Sequence, residues 1–217
     1  MMKLRSIFFV LLISTIDITA QNDLSVKSNE DGFSVMAGIC YNNWNSEYES
    51  LLSKNYSSGF GFQLNAAYGF LQKFNVYAEF QFNKQNASGN YVTTNTAKKI
   101  NLGFQYFFNG TLNKIRPFLG AGININTSTF DLIDIYFYID TDNDGNVEEY
   151  NGDYVLSGVG LNTRAGIQYF IKPNLGMQFQ VSGNFGNYKS NTLNEFDLKT
   201  EVDYSEYQGT VSFFYHF

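Results

Sequence analysis

Phe60-Gly61-Phe62-Gln63-Leu64-Asn65-Ala66-Ala67-Tyr68-Gly69-Phe70 carries a bulky or apolar residue at every even position, and glycine, amide or alanine between. Side chains that alternate in this way stand on opposite faces of a β-strand, so the stretch is a strand with one apolar and one small or polar face. Strict alternation over eleven residues also argues against a helix, whose apolar residues recur every three or four positions.

The same period recurs along the chain. Apolar positions run Phe33 to Tyr41, Phe60 to Phe70, Phe74 to Phe82, Ile100 to Phe108, Pro117 to Ile125, Val159 to Ile171, Leu175 to Phe185 and Tyr207 to Phe217. On the apolar face of these eight segments the exceptions are Thr163, Gly183 and Gly209. The other face holds mainly Gly, Asn, Gln, Ser and Thr, with Glu79 and Arg164 as its charges, while the remaining charges fall in the connections. A soluble barrel would turn its charges outward and its apolar residues inward. Here the apolar face must meet a medium other than water. Lipid is that medium, and only a closed sheet satisfies all its backbone hydrogen bonds there. The expected fold is therefore all-β, an eight-stranded antiparallel transmembrane up-and-down β-barrel.

Composition agrees. Aromatic residues make up 18% of the 217 residues and charged ones 16%, with 19 Gly against 2 Pro and a mean hydropathy of −0.23. No stretch approaches the roughly 20 apolar residues of a spanning helix. The net charge of −6 excludes nucleic acid as a natural partner, because it repels phosphates. Residues 1–20 read as a secretory signal peptide: Lys3 and Arg5, the apolar run Ile7 to Ile13, then Ile18-Thr19-Ala20. Residues 21–217 are then the barrel domain. Its only cysteine, Cys40, cannot form an internal disulfide, and no cysteine stands at the cleavage point to carry a lipid anchor.

The connections alternate in length. Leu71 to Lys73, Asn109 to Lys114 and Lys172 to Asn174 are tight turns, whereas Asn42 to Ser58, Asn83 to Lys99, Thr127 to about Ser157 and Asn187 to Glu206 read as long polar loops. Outer-membrane barrels keep short turns in the periplasm and long loops outside. An even strand number returns both termini to the periplasm.

Arg116-Pro117-Phe118-Leu119-Gly120-Ala121-Gly122-Ile123 resembles a strand of the small eight-stranded outer-membrane β-barrel proteins of the A and X type. Gly158 to Asn162, continuing through Arg164 to Tyr169, is similar to the strand that follows it in that family. Val211, Phe213, Tyr215 and Phe217 resemble the family's aromatic-ended carboxy-terminal signal, which implies the outer-membrane insertion machinery as a partner, with Phe213, Tyr215 and Phe217 as the residues read. The resemblance covers the mature chain and specifies fold rather than activity.

Function is expected to be structural or surface-directed, as adhesion or partner binding through the long loops, with outer-membrane lipid around a monomer. The alternative is a narrow solute or ion channel, in which luminal glycines such as Gly61, Gly103, Gly120 and Gly160 leave water-filled gaps. Glu79 and Arg164 fall on the inward face at similar heights and are expected to pair, because neither charge is stable buried alone. Tyr41, Trp44 and Tyr48 are expected as interface-belt aromatics.

Asp140-Thr141-Asp142-Asn143-Asp144-Gly145-Asn146-Val147-Glu148 has the opening of a calcium loop, with oxygen donors at Asp140, Asp142, Asp144, Asn146 and Glu148. Position twelve is Asn151 rather than a bidentate Glu, and Asn143-Asp144-Gly145 equally suits a hairpin turn. Eight acidic residues lie from Asp131 to Asp153 with no base among them, so two readings stand, a solvated hairpin turn or a weak Ca²⁺ site that calorimetry on refolded protein tests; no other cofactor is expected. The alternation of Ile133, Ile135, Phe137 and Ile139 suggests that this connection continues as a protruding hairpin, whose strand edge could pair with another chain. An enzyme is not expected: the lone His216 sits one residue from the end, on the inward face and away from the loop carboxylates.

Overall fold

The computed structural model describes residues 32–46, 57–71, 73–87, 92–109, 113–132, 153–193, 196–197 and 201–217. The strands are β1 (Gly32–Ser46), β2 (Ser57–Leu71), β3 (Phe74–Ala87), β4 (Val92–Phe107), β5 (Ile115–Leu132), β6 (Asp153–Lys172), β7 (Leu175–Leu193), the two-residue β8 (Phe196–Asp197) and β9 (Val202–His216). Each pairs antiparallel with its chain neighbour, except that β8 only touches the far end of β7 and β9 takes the eighth place. Pairing of β9 with β1 closes the sheet, so the molecule is an eight-stranded antiparallel barrel.

The stagger follows from the register. Stepping across the pairs from Met36 to Asn65, Glu79, Asn101, Asn124, Gly160, Gly186 and Tyr204 returns to β1 at Ser46, ten residues beyond the start. A ten-residue shift over eight strands tilts the strands about 40° from the barrel axis and sets a backbone radius of about 8 Å. Such a bore is filled by side chains pointing inward.

Alternation continues further along the strands than the apolar segments do. Every strand passes from apolar to polar outward residues at one end: Tyr41 to Asn43, Phe60 to Ser58, Phe82 to Lys84, Ile100 to Lys98, Ile125 to Thr127, Val159 to Ser157, Phe185 to Asn187 and Tyr207 to Ser205. Below this line the outward side chains are large and exposed, Phe60 at 70% and Phe104 at 61% for example. On β5 the belt from Ile115 to Ile125 stands about 25 Å tall at that tilt, the height of a bilayer's hydrocarbon band.

The four long connections were read too long. Asn42 to Ser46, Asn83 to Ala87, Thr127 to Leu132 and Asn187 to Leu193 extend β1, β3, β5 and β7, and the returning strands begin correspondingly early. A strand does not end where its outward face turns polar, since the ladder needs only a paired neighbour. The described ends of β5 and β6 are paired on both sides, with β4 and β7 respectively, so they offer no free edge. The hairpin expected around Ile133 to Ile139 and the segment 1–20 lie outside the described residues.

Candidate functional site

The inward side chains form three layers. In the middle one, Glu79 of β3 is 2% exposed and collects five donors. Arg164 of β6 supplies two, Nη1 at 3.1 Å and Nη2 at 2.9 Å, and the amides of Asn65, Gln81 and Asn101 the other three at 3.2, 2.7 and 2.9 Å. Arg164 also donates Nε–H to Asn162 at 3.1 Å, and its guanidinium lies 3.7 Å from the centre of the Tyr77 ring. The structure thus brings Glu79 and Arg164 together in a fork-to-fork pair, ringed by amides that leave little of either charge unsatisfied.

A second pair lies where a loop was expected. Lys99 of β4 and Glu206 of β9 are both fully buried and bonded Nζ to Oε1, and Asn42 donates to the same oxygen at 2.9 Å. Arg116 of β5 is likewise buried in the lumen, 4.2 Å from the centre of the Phe107 ring. The charges are therefore not confined to Glu79, Arg164 and the connections. Parity held the signal: Lys99 precedes outward Ile100, Glu206 precedes outward Tyr207 and Arg116 precedes outward Pro117, so a continuing strand aims all three inward.

Both ends of this polar layer are packed with aromatic rings. Toward the short turns, Phe170 and Phe214 meet at 5.0 Å, Phe107 and Phe118 at 5.6 Å, and His216 stacks on Phe170 at 5.5 Å. Toward the long connections, the Tyr188 hydroxyl accepts from Trp44 Nε1 at 3.1 Å and from Asn126 at 2.7 Å, and shares a third hydrogen bond with Ser128. Tyr204 lies against the Tyr188 ring at 4.5 Å, and Phe130 against Trp44 at 5.3 Å.

Trp44 is consequently not a belt residue. It is 0% exposed and points into the lumen, because β1 runs on to Ser46 and even positions of that strand face inward. Tyr41, at an odd position, does face outward, and Tyr48 lies outside the described residues. The glycine gaps are filled as well. A Cβ at Gly103 would stand 2.6 Å from the Tyr77 hydroxyl, and one at Gly120 2.8 Å from Arg164 Cγ. Glycine is required at these positions so that the large luminal groups can lie against the wall.

Of the remaining expected site residues, Phe213, Tyr215 and Phe217 project outward at the end of β9, and the amide of Phe217 donates to Phe33 O at 3.0 Å. The acidic segment with Asp140, Asp142, Asp144, Asn146 and Glu148 lies outside the described residues.

No protein-family model matches the chain, and no curated protein does. Solved structures do. Neisserial surface protein A is 14% identical, with 84% of this chain and 96% of that one covered at a TM-score of 0.59. The outer membrane protein OprG from Pseudomonas aeruginosa is 13% identical, covering 90% of this chain and 99% of that one, also at 0.59. At such identities the likeness is one of architecture: this chain has the fold of the small eight-stranded outer-membrane β-barrels.

Proposed function

We propose that the protein is an integral barrel of the bacterial outer membrane whose role is structural or surface-directed, exercised through the four connections at its long-connection end. The single observation that carries this reading is the outer face: a continuous belt of exposed Phe, Leu, Ile, Val and Tyr that gives way to polar residues on every strand at one end. Water would penalise that belt heavily, whereas hydrocarbon matches it. In this orientation the long connections face outside and both strand termini, at Gly32 and Phe217, face the periplasm.

The packed lumen weighs against the second reading, a narrow solute channel. Asn42, Gln81, Asn101, Asn124 and Gln168 are each 0% exposed, so neighbouring side chains fill the lumen around them. Nor does catalysis belong to the proposal, since His216 lies among Phe170 and Phe214 at the end opposite the long connections.

Protein refolded in detergent and run on gels with and without heating, with circular dichroism alongside, tests the membrane reading. A heat-modifiable, strand-rich species is expected, and an unshifted or helical one would overturn it. Protease treatment of intact cells should cut the long connections and spare the short turns. For the surface role, shortening the tip between Asp131 and Asp153 should abolish binding to cells or matrix. Unchanged binding would remove adhesion through that loop.

A further inference from the structure

Although the chain carries a net charge of −6, the three short turns are basic. Lys73 sits in the β2–β3 turn, Lys114 in the β4–β5 turn and Lys172 at the β6–β7 turn, one lysine to each; Lys73 and Lys172 are exposed and Lys114 partly so. Among the described residues no Asp or Glu lies at this end. Glu79 and Glu206 are in the lumen, and Asp131, Asp153, Asp197, Glu201 and Asp203 are at the other end. That other end is mixed in sign, since Lys84, Lys98 and Lys189 share it with those carboxylates.

The three turns are also tied down alike. The amide of Phe107 donates to Lys73 O at 2.8 Å, that of Phe170 to Lys114 O at 2.9 Å, and that of His216 to Asn174 O at 2.8 Å. Each turn is thereby bonded to the end of a following strand and held at the rim. Successive turns are two strands apart, about 12 Å around the wall. Just inside them the outer face carries a collar of rings, with Phe74 and Tyr106 meeting at 5.0 Å, Tyr106 and Phe108 at 5.4 Å, and Tyr215 and Phe217 at 5.0 Å. A ring collar capped by cations is the arrangement of a bilayer's interface, where aromatic rings lie at headgroup level and lysines reach phosphate.

We propose that this rim, through Lys73, Lys114 and Lys172, is a docking surface for the phosphate headgroups of anionic phospholipids in the leaflet it meets. The inference rests on the membrane reading above and adds the lipid class and the side. Charge complementarity selects the occupant: among the described residues no Asp or Glu side chain opposes the three lysines at this end, and they continue the lipid-facing belt. The surface both anchors the barrel at a fixed depth and enriches anionic lipid around its short-turn end.

The test is spin-labelled lipid association by electron paramagnetic resonance, with full-length mature protein in phosphatidylcholine vesicles and phosphatidylglycerol or phosphatidylcholine as the probe. Band shift on unheated gels shows insertion for each sample. The wild-type protein should prefer phosphatidylglycerol about twofold or more, and the preference should fall toward parity in high salt. Lys73→Gln/Lys114→Gln/Lys172→Gln should abolish it, each single substitution should lose part, and Lys84→Gln/Lys98→Gln, at the other end, should keep it. Equal association of both lipids with an inserted wild-type barrel, or full preference in the triple variant, overturns the proposal while leaving the membrane reading intact. Failure of the wild-type protein to insert overturns both.

Discussion

Glu79→Ala should be the most damaging luminal truncation, and the contacts set the scale. Its carboxylate accepts two guanidinium and three amide hydrogen bonds inside a region sealed from water. Removing one partner of a buried ion pair costs about 3–5 kcal/mol, because the other charge stays behind uncompensated. Arg164 has little freedom to escape, since its stem lies against Gly120 and its head over Tyr77. Glu206→Ala should cost about 1 kcal/mol less, because the described donors to Glu206 are Lys99 and Asn42 alone and a lysine head can turn toward neighbouring amides. Replacing both members, Glu79→Met with Arg164→Met, should recover most of the loss, as exchanging a whole buried pair for apolar groups of similar size is near neutral. Urea midpoints of the folded band, followed on unheated gels in detergent micelles, give all three values against the wild type. A Glu79→Ala loss below about 1 kcal/mol, or a double variant no better than Glu79→Ala, would refute the reasoning.

Trp44 provides a second check, because it is the only tryptophan and lies inside the wall. Its fluorescence should resist both aqueous acrylamide and brominated acyl chains in vesicles, and strong quenching by the brominated lipid would return it to the outer belt. Glycines of opposite orientation should respond oppositely. Gly103→Val drives a side chain into Tyr77 and should cost about 2 kcal/mol or more, whereas outward Gly209 has nothing within 4 Å of its would-be Cβ, so Gly209→Leu should be neutral or stabilising in detergent unfolding. In planar bilayers the wild-type protein should show no steady conductance, and a stable ohmic level would reopen the channel reading.

Much of this was legible in the sequence because the side-chain period of a strand is a local property. The alternation around Phe62, Leu64 and Tyr68 does not depend on what the strand pairs with, and the absence of charges from the apolar face requires lipid wherever the strands lie. Eight such segments and three tight turns then leave few alternatives to a closed barrel. The same parity placed Glu79 and Arg164 inside, since both lie within unmistakably apolar segments.

Beyond the belt, sequence lost its guide. Once outward positions become Asn43, Lys84, Lys98 or Ser205, both faces are polar and a paired strand looks like a loop. Trp44, Lys99 and Glu206 were therefore misplaced, and only the ladder to the neighbouring strand showed that β1, β4 and β9 run on. Which luminal groups meet was likewise decided in three dimensions. Lys99 reaches Glu206 across 107 residues of chain, and Trp44 reaches Tyr188 across 144, through a ten-residue stagger that no local pattern encodes. Alternation tells each residue which side of the wall it faces. Closure and shear alone decide what it faces there.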